Sequence, residues 1–344
     1  MPIRRNVLIA LIIVMLGVLV FFGFLIYSEK NKNLNNPISK KSNEILQTES
    51  KKDYPADLQG EIFMTLRKKG IDGNEIFSFD FKDGLLKKVY TPTHPCTLLG
   101  GEINAEGTKM VTSSNCRGED SKVFQIYSSN INKESVAITK SITDLKKEAV
   151  WSPDSKKVAF MVASPEERDN PDPGFDISTW NIFTSDLEGN EQFVGNGVHP
   201  FFSPDGKKIL ALREEGLYLF DLETGKGERI HIFNTIVSAS TQLDVSDQKD
   251  RLAVSNSIDR TITIFKIKAW DTFAMEEIQT IEAKNSYVSW PKFAPNNQKY
   301  LITEELFDDQ SVKLVAYNLE TNKKHLITDL SAYEHSALWI NDWK

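Results

Sequence analysis

The sequence is poor in the residues that build most catalytic and metal sites. Its 344 residues include two cysteines and five histidines, and the histidines are scattered along the chain. It contains no Gly-x-Ser-x-Gly nucleophile motif, no Gly-x4-Gly-Lys phosphate loop and no His-Glu-x-x-His zinc motif. These absences argue against the serine hydrolases, nucleotide-binding proteins and zinc proteases that such motifs identify.

Basic side chains are also scarce relative to acidic ones. Lysine and arginine number 41 against 48 aspartates and glutamates, which gives a formal net charge of −7. Binding to nucleic acid depends on clustered positive charge that displaces counterions from the phosphates. The acidic balance therefore excludes a nucleic-acid-binding protein.

Long hydrophobic runs are limited to one segment, residues 7–27. This segment has no charged side chain, follows Arg4 and Arg5, and is long enough to cross a hydrocarbon core of about 30 Å as a helix. It predicts an uncleaved signal anchor, with residues 28–344 outside the cytoplasm of a cell membrane that the chain crosses once. The alternatives are a buried core helix and a cleaved signal peptide, which would have a shorter apolar part and a small-x-small cleavage site.

Residues 28–59 have the composition of a linker. They are rich in asparagine, lysine, serine, glutamate and glutamine and contain almost no aromatic residues. This composition predicts a flexible tether with a root-mean-square reach of roughly 30 Å. The following domain, residues 60–344, is therefore expected to stand off the membrane.

A repeat organises residues 60–344. Each copy consists of an aromatic or branched residue, a polar turn and an apolar run. Clear copies occupy residues 151–160, 202–211 and 293–302, weaker copies begin at Ile103 and Val245, and a sixth begins at Trp339. The copies begin 43 to 51 residues apart, a period typical of propeller blades.

The two ends of the repeat region complement each other. Residues 60–90 supply three predicted strands without the opening motif, whereas the C-terminal copy supplies the motif without the strands that follow it. Joining them completes a sixth blade and removes exposed sheet edges. The sequence therefore predicts an all-β, six-bladed β-propeller that is closed by the C-terminal strand and preceded by one transmembrane helix.

The repeat resembles that of TolB-type propellers. The resemblance rests on the Trp-Ser-Pro-Asp and Phe-Ser-Pro-Asp-Gly segments that begin at Trp151 and Phe202, and on aspartate-leucine turns at Asp186 and Asp221. It implies a WD-repeat-like six-bladed propeller, often found in the bacterial envelope and often used for protein binding. The sequence departs from TolB in two respects: no separate α/β domain is expected before the propeller, and a membrane anchor is expected in place of a cleaved signal. The motif residues determine the fold, so the resemblance implies an architecture more than an activity.

The two cysteines fall in predicted loops on one face of the propeller. Cys96 lies between the first and second blades, and Cys116 lies between the second and third strands of the second blade. A disulfide between them is predicted, and it would close a loop of about 20 residues and stabilise the fold by roughly 3 kcal/mol. Two free buried thiols and a metal site that includes His94 are the alternatives.

Acidic residues concentrate in two predicted loops of the same face, in the third and sixth blades. These loops, residues 163–176 and 304–310, each carry a net charge of −4. Their acidic residues are Glu166, Glu167, Asp169, Asp172 and Asp176 in the first loop and Glu304, Glu305, Asp308 and Asp309 in the second. The interpretations are solvated surface charge, docking of a basic partner and a calcium site, although no spacing matches a known calcium loop. No other cofactor is predicted.

A second set of candidates lies on the innermost predicted strands, near the propeller axis. The polar residues one or three positions before the repeat copies are Glu102, Glu148, His199, Gln242, Asp244 and Lys292. Ligands commonly bind in such concave sites, so these residues are candidates for binding at the channel mouth. Exposed or hydrogen-bonded strand residues are the structural alternative.

Together these features predict a membrane-anchored propeller that binds a protein or a glycan in a bacterial cell envelope. The acidic loop face is the expected binding surface. The alternative is an enzyme, a polysaccharide lyase or hydrolase that takes its acid and base from Glu102, Glu148, His199 and Asp244. A structural spacer is a third hypothesis.

Overall fold

The computed structural model describes residues 54–92, 97–115, 123–130, 135–141, 144–163, 177–233, 237, 241–295, 299–334 and 338–344. Across these residues the chain forms 24 β-strands in six four-stranded antiparallel sheets, together with a 3₁₀ turn at Ile177–Thr179. Each sheet is one blade. The structure confirms the predicted all-β, six-bladed β-propeller.

The strands follow one another along the chain, four to a blade, with one exception in blade 1. Blade 1 contains β1 (Glu61–Leu66), β2 (Glu75–Asp80) and β3 (Leu85–Tyr90), and blade 2 contains β4 (Leu98–Ile103), β5 (Lys109–Ser114), β6 (Gln125–Asn130) and β7 (Ser135–Ala137). Blade 3 contains β8 (Lys146–Trp151), β9 (Lys157–Ala163), β10 (Trp180–Asp186) and β11 (Glu191–Asn196), and blade 4 contains β12 (Val198–Phe202), β13 (Lys208–Arg213), β14 (Gly216–Asp221) and β15 (Gly227–His231). Blade 5 contains β16 (Thr241–Val245), β17 (Arg251–Asn256), β18 (Thr261–Ala269) and β19 (Ala274–Glu282), and blade 6 contains β20 (Ser286–Phe293), β21 (Tyr300–Phe307), β22 (Val312–Asn318) and β23 (Lys323–Asp329). The last strand, β24 (Trp339–Trp343), returns to blade 1.

The C-terminal strand closes the ring, as predicted. β24 pairs antiparallel with β1, with Trp343 opposite Ile62, and gives blade 1 the strand order β24-β1-β2-β3. Trp343 is buried, and its indole Nε1 donates a hydrogen bond to the carbonyl oxygen of Gln59 at 3.0 Å. Residues from the two ends of the domain thus share one sheet, and β24 pairs with the side of β1 that faces the propeller axis.

The sixth repeat copy lies four residues later than the sequence predicts. The innermost strands of the six blades end at Ile103, Trp151, Phe202, Val245, Phe293 and Trp343. Trp343 therefore occupies the repeat position that the sequence assigns to Trp339. Trp339 instead begins β24 and lines the propeller channel. Both residues are tryptophans in a short terminal strand, so only the pairing with β1 decides between them.

The repeat motif folds as a tight turn between the first and second strands of a blade. In blade 4 the Ser203 hydroxyl donates to the Asp205 carboxylate at 2.6 Å and accepts the Lys208 amide N–H at 2.9 Å. The same carboxylate accepts the Lys207 amide N–H at 3.1 Å. These bonds, the Ser203 hydroxyl first, hold the pKa of Asp205 below its usual value. The motif therefore satisfies the turn backbone locally.

The hydrophobic core lies between adjacent blades, against the faces of the middle strands. On β13 the four consecutive residues Ile209, Leu210, Ala211 and Leu212 are fully buried, because a blade lies on each side. Burying one such aliphatic side chain contributes roughly 1.5–3 kcal/mol. The outermost strands are mostly exposed instead, as in β19, where six of the nine residues are exposed and one is buried. This gradient explains why the second strand of blade 4 is more apolar than its outermost strand.

The two rims of the propeller carry different connections. We call the rim with the connections between blades and between second and third strands the loop face, and the opposite rim the turn face. β1 and β2, for example, are joined on the loop face by residues 67–74, whereas β12 and β13 are joined on the turn face. The innermost strands run from the loop face to the turn face.

Residues 54–59 of the predicted tether pack against the propeller. Tyr54 makes edge contacts with the rings of Phe79 and Phe81, and Leu58 is buried in the core cluster of blades 6 and 1. Asp57 accepts hydrogen bonds from Lys299 at 2.6 Å and from Tyr300 at 2.7 Å. The predicted anchor and the preceding part of the tether lie outside the described residues. Within the described part of the chain, no helix is long and apolar enough to cross a membrane.

Candidate functional site

Five of the six innermost strands have irregular pairing near the propeller axis. One of them, β24, shifts register at Asn341. In the other four, β4, β8, β12 and β20, a residue with a left-handed backbone lies at the irregularity. The φ angles are 22° at Gly100, 50° at Glu148, 52° at His199 and 53° at Trp290. Such conformations are costly for residues other than glycine, and they cluster at functional sites. The bulges bring these four residues to one level of the channel.

A cavity of about 50 Å³ lies in the channel at this level. Its lining includes Glu148, His199, Trp290, Lys292 and Trp339. The rings of Trp290 and Trp339 meet edge to face, with centroids 6.3 Å apart. The cavity therefore combines a histidine, a carboxylate and an aromatic pair in a small space.

Glu148 and His199 form a pair at this cavity. His199 Nδ1 lies 2.5 Å from Glu148 Oε2, and only 7% of His199 is exposed. Because the Glu148 carboxylate accepts the hydrogen of Nδ1, we assign the tautomer in which Nε2 is the hydrogen-bond acceptor. Nε2 is buried and has no hydrogen-bond partner among the described residues. A buried polar atom without a partner is costly, so Nε2 is an open position for a ligand or a water.

Three carboxylates near the turn face join neighbouring blades. Glu102 accepts the Trp151 amide N–H at 2.5 Å, Asp244 accepts that of Phe293 at 2.9 Å, and Asp342 accepts that of Ile103 at 3.0 Å. Each carboxylate directly precedes the last residue of its innermost strand. It accepts the backbone N–H of the equivalent last residue in the next blade. These groups hold the ring together at the turn-face end of the channel.

Lys292 lies among these carboxylates. Its Nζ is 3.0 Å from Asp244 Oδ1. Burial opposes the lysine charge, but Asp244, Asp342 and Glu102 outweigh it and raise the pKa of Lys292. Burial also raises the pKa of Asp244, against the opposing effect of Lys292, and burial together with Asp342 raises that of Glu102. The cluster is therefore an ion-pair network whose residues connect neighbouring blades and stabilise the fold.

Glu304 and Glu305 do not belong to the acidic loop that the sequence predicts over residues 304–310. The structure places both inside β21, where both are buried. Glu305 accepts hydrogen bonds from Ser286 at 2.7 Å and Lys324 at 2.8 Å, and also from the Tyr317 hydroxyl. The strand extends further than predicted because these neighbouring strands supply donors for a buried carboxylate.

The remaining candidates divide between the loop face and the undescribed part of the chain. Asp308 and Asp309 are exposed in the connection between β21 and β22. Outside the described residues lie Glu166, Glu167, Asp169, Asp172 and Asp176 of the other acidic loop, and Cys96 and Cys116 of the predicted disulfide. Among the residues that the structure describes, no group of three or more potential ligands is placed to hold a metal ion.

Sequence reasoning missed Trp290, Trp339 and Asp342. Trp290 and Trp339 line the cavity, and Asp342 joins blades 1 and 2. Aligning the last repeat on Trp343 would have placed Asp342 in register with Glu102 and Asp244. The repeat pattern could thus have identified Asp342, but the last copy was aligned on Trp339 and not on Trp343.

Solved structures with this architecture include TolB from Acinetobacter baumannii, to which the chain is similar with a TM-score of 0.61 and 16% identity over 84% of this chain and 67% of that one. A putative TolB from Agrobacterium tumefaciens gives a TM-score of 0.52 with 12% identity, over 79% of this chain and 90% of that one. An oligogalacturonate lyase in complex with manganese gives 0.51 with 8% identity, over 77% of each chain. No protein-family model and no curated protein matches the sequence. The likeness shows that the chain has the fold of TolB-type propellers.

Proposed function

We propose that this chain is a membrane-anchored propeller that binds a protein or a glycan outside the cytoplasm, in a bacterial cell envelope. The anchor is the apolar segment of residues 7–27, and the binding surface is the loop face. Support for the location comes from the sequence pattern at the N-terminus. Support for binding comes from the side chains that the loop face exposes.

One exposed surface on the loop face carries this proposal. We call it the blade 5–6 rim and define it by Ile258, Arg260, Tyr287 and Asp308. Ile258 is 57% exposed and Tyr287 is 39% exposed, although both are large and apolar. The Arg260 guanidinium lies 4.3 Å from the centroid of the Tyr287 ring and 3.4 Å from Asp308 Oδ1.

The rim is held in place by the blades beneath it. The Ser257 hydroxyl donates to the carbonyl oxygen of Val288 at 2.8 Å, which ties the segment that contains Ile258 to the strand that carries Tyr287. Tyrosine and arginine are enriched among the residues that contribute most to protein interfaces. A preorganised pair loses little conformational entropy on binding. The blade 5–6 rim therefore has the composition and rigidity of a protein-binding surface.

Acidic charge on the same face supports a basic partner. Asp308 and Asp309 are exposed next to the rim. The predicted acidic loop of blade 3 would add charge of the same sign across the ring. Such a field raises the rate of encounter with positively charged surfaces.

An enzyme remains the alternative function, and one observation favours it. His199 is held by Glu148 beside a cavity, an arrangement used by general bases. One protein of similar fold is an oligogalacturonate lyase. However, Glu102 and Asp244 accept inter-blade hydrogen bonds, so the predicted acid and base set is reduced to the Glu148–His199 pair.

Affinity capture from solubilised envelopes tests the binding proposal. The bait is the full chain in detergent, compared with an Ile258→Ser/Tyr287→Ala variant of the rim. The matched control is Leu187→Ser, since Leu187 is also exposed but lies on the turn face. A partner captured by the native chain and the control, but lost by the rim variant, supports the proposal. Capture of no partner, or equal capture by the rim variant, contradicts it.

A second comparison separates the alternative from the proposal. Glu148→Gln and His199→Gln variants are assayed for capture of the partner and for turnover of acidic polysaccharides. Unchanged capture without turnover in any form of the protein excludes the enzyme. Turnover by the native chain that both variants lose would establish it.

Protease accessibility in spheroplasts tests the location. The proposal predicts that the full chain sediments with membranes at high pH and that added protease degrades the propeller without lysis. A propeller that is protected until the cells are lysed would place it in the cytoplasm.

A further inference from the structure

The open acceptor in the channel indicates which ligand the cavity takes. His199 Nε2 is buried and has no partner among the described residues, while Nδ1 is held by Glu148. The left-handed backbones of both residues fix this arrangement at an energetic cost. A strained pair that leaves an unsatisfied acceptor beside a cavity is better explained by a ligand than by packing.

The charge of the lining favours a cation over an anion. Glu148 and Lys292 are the lining residues that carry formal charge, besides the ionisable His199. Lys292 is neutralised by Asp244 at 3.0 Å, which leaves Glu148 as the negative group nearest to His199. A ligand that donates a hydrogen bond to Nε2 satisfies that atom, and a positive charge on the ligand is attracted by the nearby Glu148 carboxylate.

The aromatic residues and the volume restrict the ligand further. Trp290 and Trp339 line the same cavity, and tryptophan attracts cations through its ring face. The volume of about 50 Å³ favours a slender group over a bulky one such as a sugar ring. A primary ammonium on an alkyl chain meets all three conditions.

We propose that the channel cavity binds a primary ammonium group, which donates to His199 Nε2 beside Glu148 while its alkyl stem contacts Trp290 and Trp339. The group belongs either to a free alkylamine or to a lysine side chain of a partner protein. The lysine form deepens the proposed protein-binding function and depends on it, whereas binding of a free amine does not.

The test uses four probes and the full chain in detergent. n-Butylamine, 1-butanol and butyrate have similar stems and differ in their head group, and Nα-acetyl-lysine amide represents a lysine of a partner. Binding is followed by tryptophan fluorescence and by the ¹⁵N chemical shifts of labelled histidine. We expect n-butylamine, Nα-acetyl-lysine amide or both to shift the Nε2 resonance of His199, and neither 1-butanol nor butyrate to do so.

Two channel variants and one control locate the site. Glu148→Gln and His199→Phe should weaken amine binding at least about tenfold, the loss expected for a hydrogen bond to a charged group. His231→Gln is the control, because His231 packs against Phe233 and Phe265 on the outer strand of blade 4 and not in the channel. It should bind the amine like the native chain. Thermal unfolding of each variant confirms that the propeller is intact.

The outcomes separate this inference from the proposed function. Binding of n-butylamine alone identifies a free amine as the ligand, and binding of Nα-acetyl-lysine amide identifies a partner's side chain. Preferential binding of butyrate would show an anion site around protonated His199 and overturn the proposal. Equal binding of butanol, no binding of any probe, or unchanged binding by both channel variants would also overturn it. None of these results affects capture of a partner by the blade 5–6 rim.

Discussion

Replacing Asp244 with alanine should destabilise the propeller more than any substitution of an exposed aspartate. Asp244 is 6% exposed and accepts two hydrogen bonds from blade 6, from the Lys292 ammonium at 3.0 Å and from the Phe293 amide N–H at 2.9 Å. The substitution removes both acceptors. It leaves a mostly buried ammonium and a buried amide without these partners.

The expected cost follows from these two losses. Removing one partner of a buried ion pair typically costs about 3–5 kcal/mol, and this figure includes the penalty for the charge left behind. Lys292 still faces Glu102 and Asp342, whose negative charges reduce that penalty. We therefore expect the free energy of unfolding of the Asp244→Ala variant to fall by about 3 kcal/mol, at the lower end of that range.

Urea denaturation of the full chain in detergent measures this cost, with tryptophan fluorescence as the signal. Asp247→Ala is the matched control, since Asp247 is exposed in the turn that follows β16. Its free energy of unfolding should change by less than about 0.5 kcal/mol. A Lys292→Met variant and the double variant complete a double-mutant cycle, which should show coupling between the two residues. A cost below about 1 kcal/mol for Asp244→Ala, or strictly additive effects, would refute the reasoning.

Four further outcomes are expected. The hydrogen bond from Ser203 holds the pKa of Asp205 below its usual value of 3.8. The stabilisation from this turn is therefore present above pH 3.8 and is lost as the pH falls through the lower folded-state pKa. Asp205→Asn should flatten this acid dependence of the free energy of unfolding in urea titrations. Glu305→Ala should lower the free energy of unfolding by about 3 kcal/mol or more, because three donors lose their acceptor, whereas Glu305→Gln should cost less. Trp343→Ala should cost about 3–5 kcal/mol, since it opens a cavity where β24 closes blade 1, and an unchanged denaturation midpoint would contradict this. Reduction should add the mass of two hydrogens if Cys96 and Cys116 are bridged, whereas two free thiols in the native chain would contradict the disulfide.

The fold could be predicted from sequence because the turns and strands of each blade are determined by residues within that blade. The serine and aspartate of the motif bond to the turn around Ser203 without help from other blades. The apolar run after each turn marks the second strand, which neighbouring blades bury on both faces. Local hydrogen bonds and strand patterning repeat at a fixed period, so the number of blades follows from counting the copies.

The candidate site was predicted less well, because its residues depend on contacts between blades. Glu305 is an acidic residue near a predicted loop, and its burial depends on donors from other strands, which the local sequence does not show. Glu102 and Asp244 are in the expected channel region, but the structure shows that they bond to the backbone of the next blade. No local pattern distinguishes such a carboxylate from one that is free to bind a ligand.

By itself the sequence determined the repeat, the six blades and their closure by the C-terminal strand, because turns and strand patterns are local properties of the chain. Tertiary structure alone decided that Trp343 closes blade 1, and that Glu148, His199, Trp290 and Trp339 meet at one level of the channel. These four residues come from four different blades, and β-bulges in three of the strands re-aim their side chains towards the axis. The physical reason is that ring closure and backbone strain depend on all six blades at once, and no single repeat encodes them.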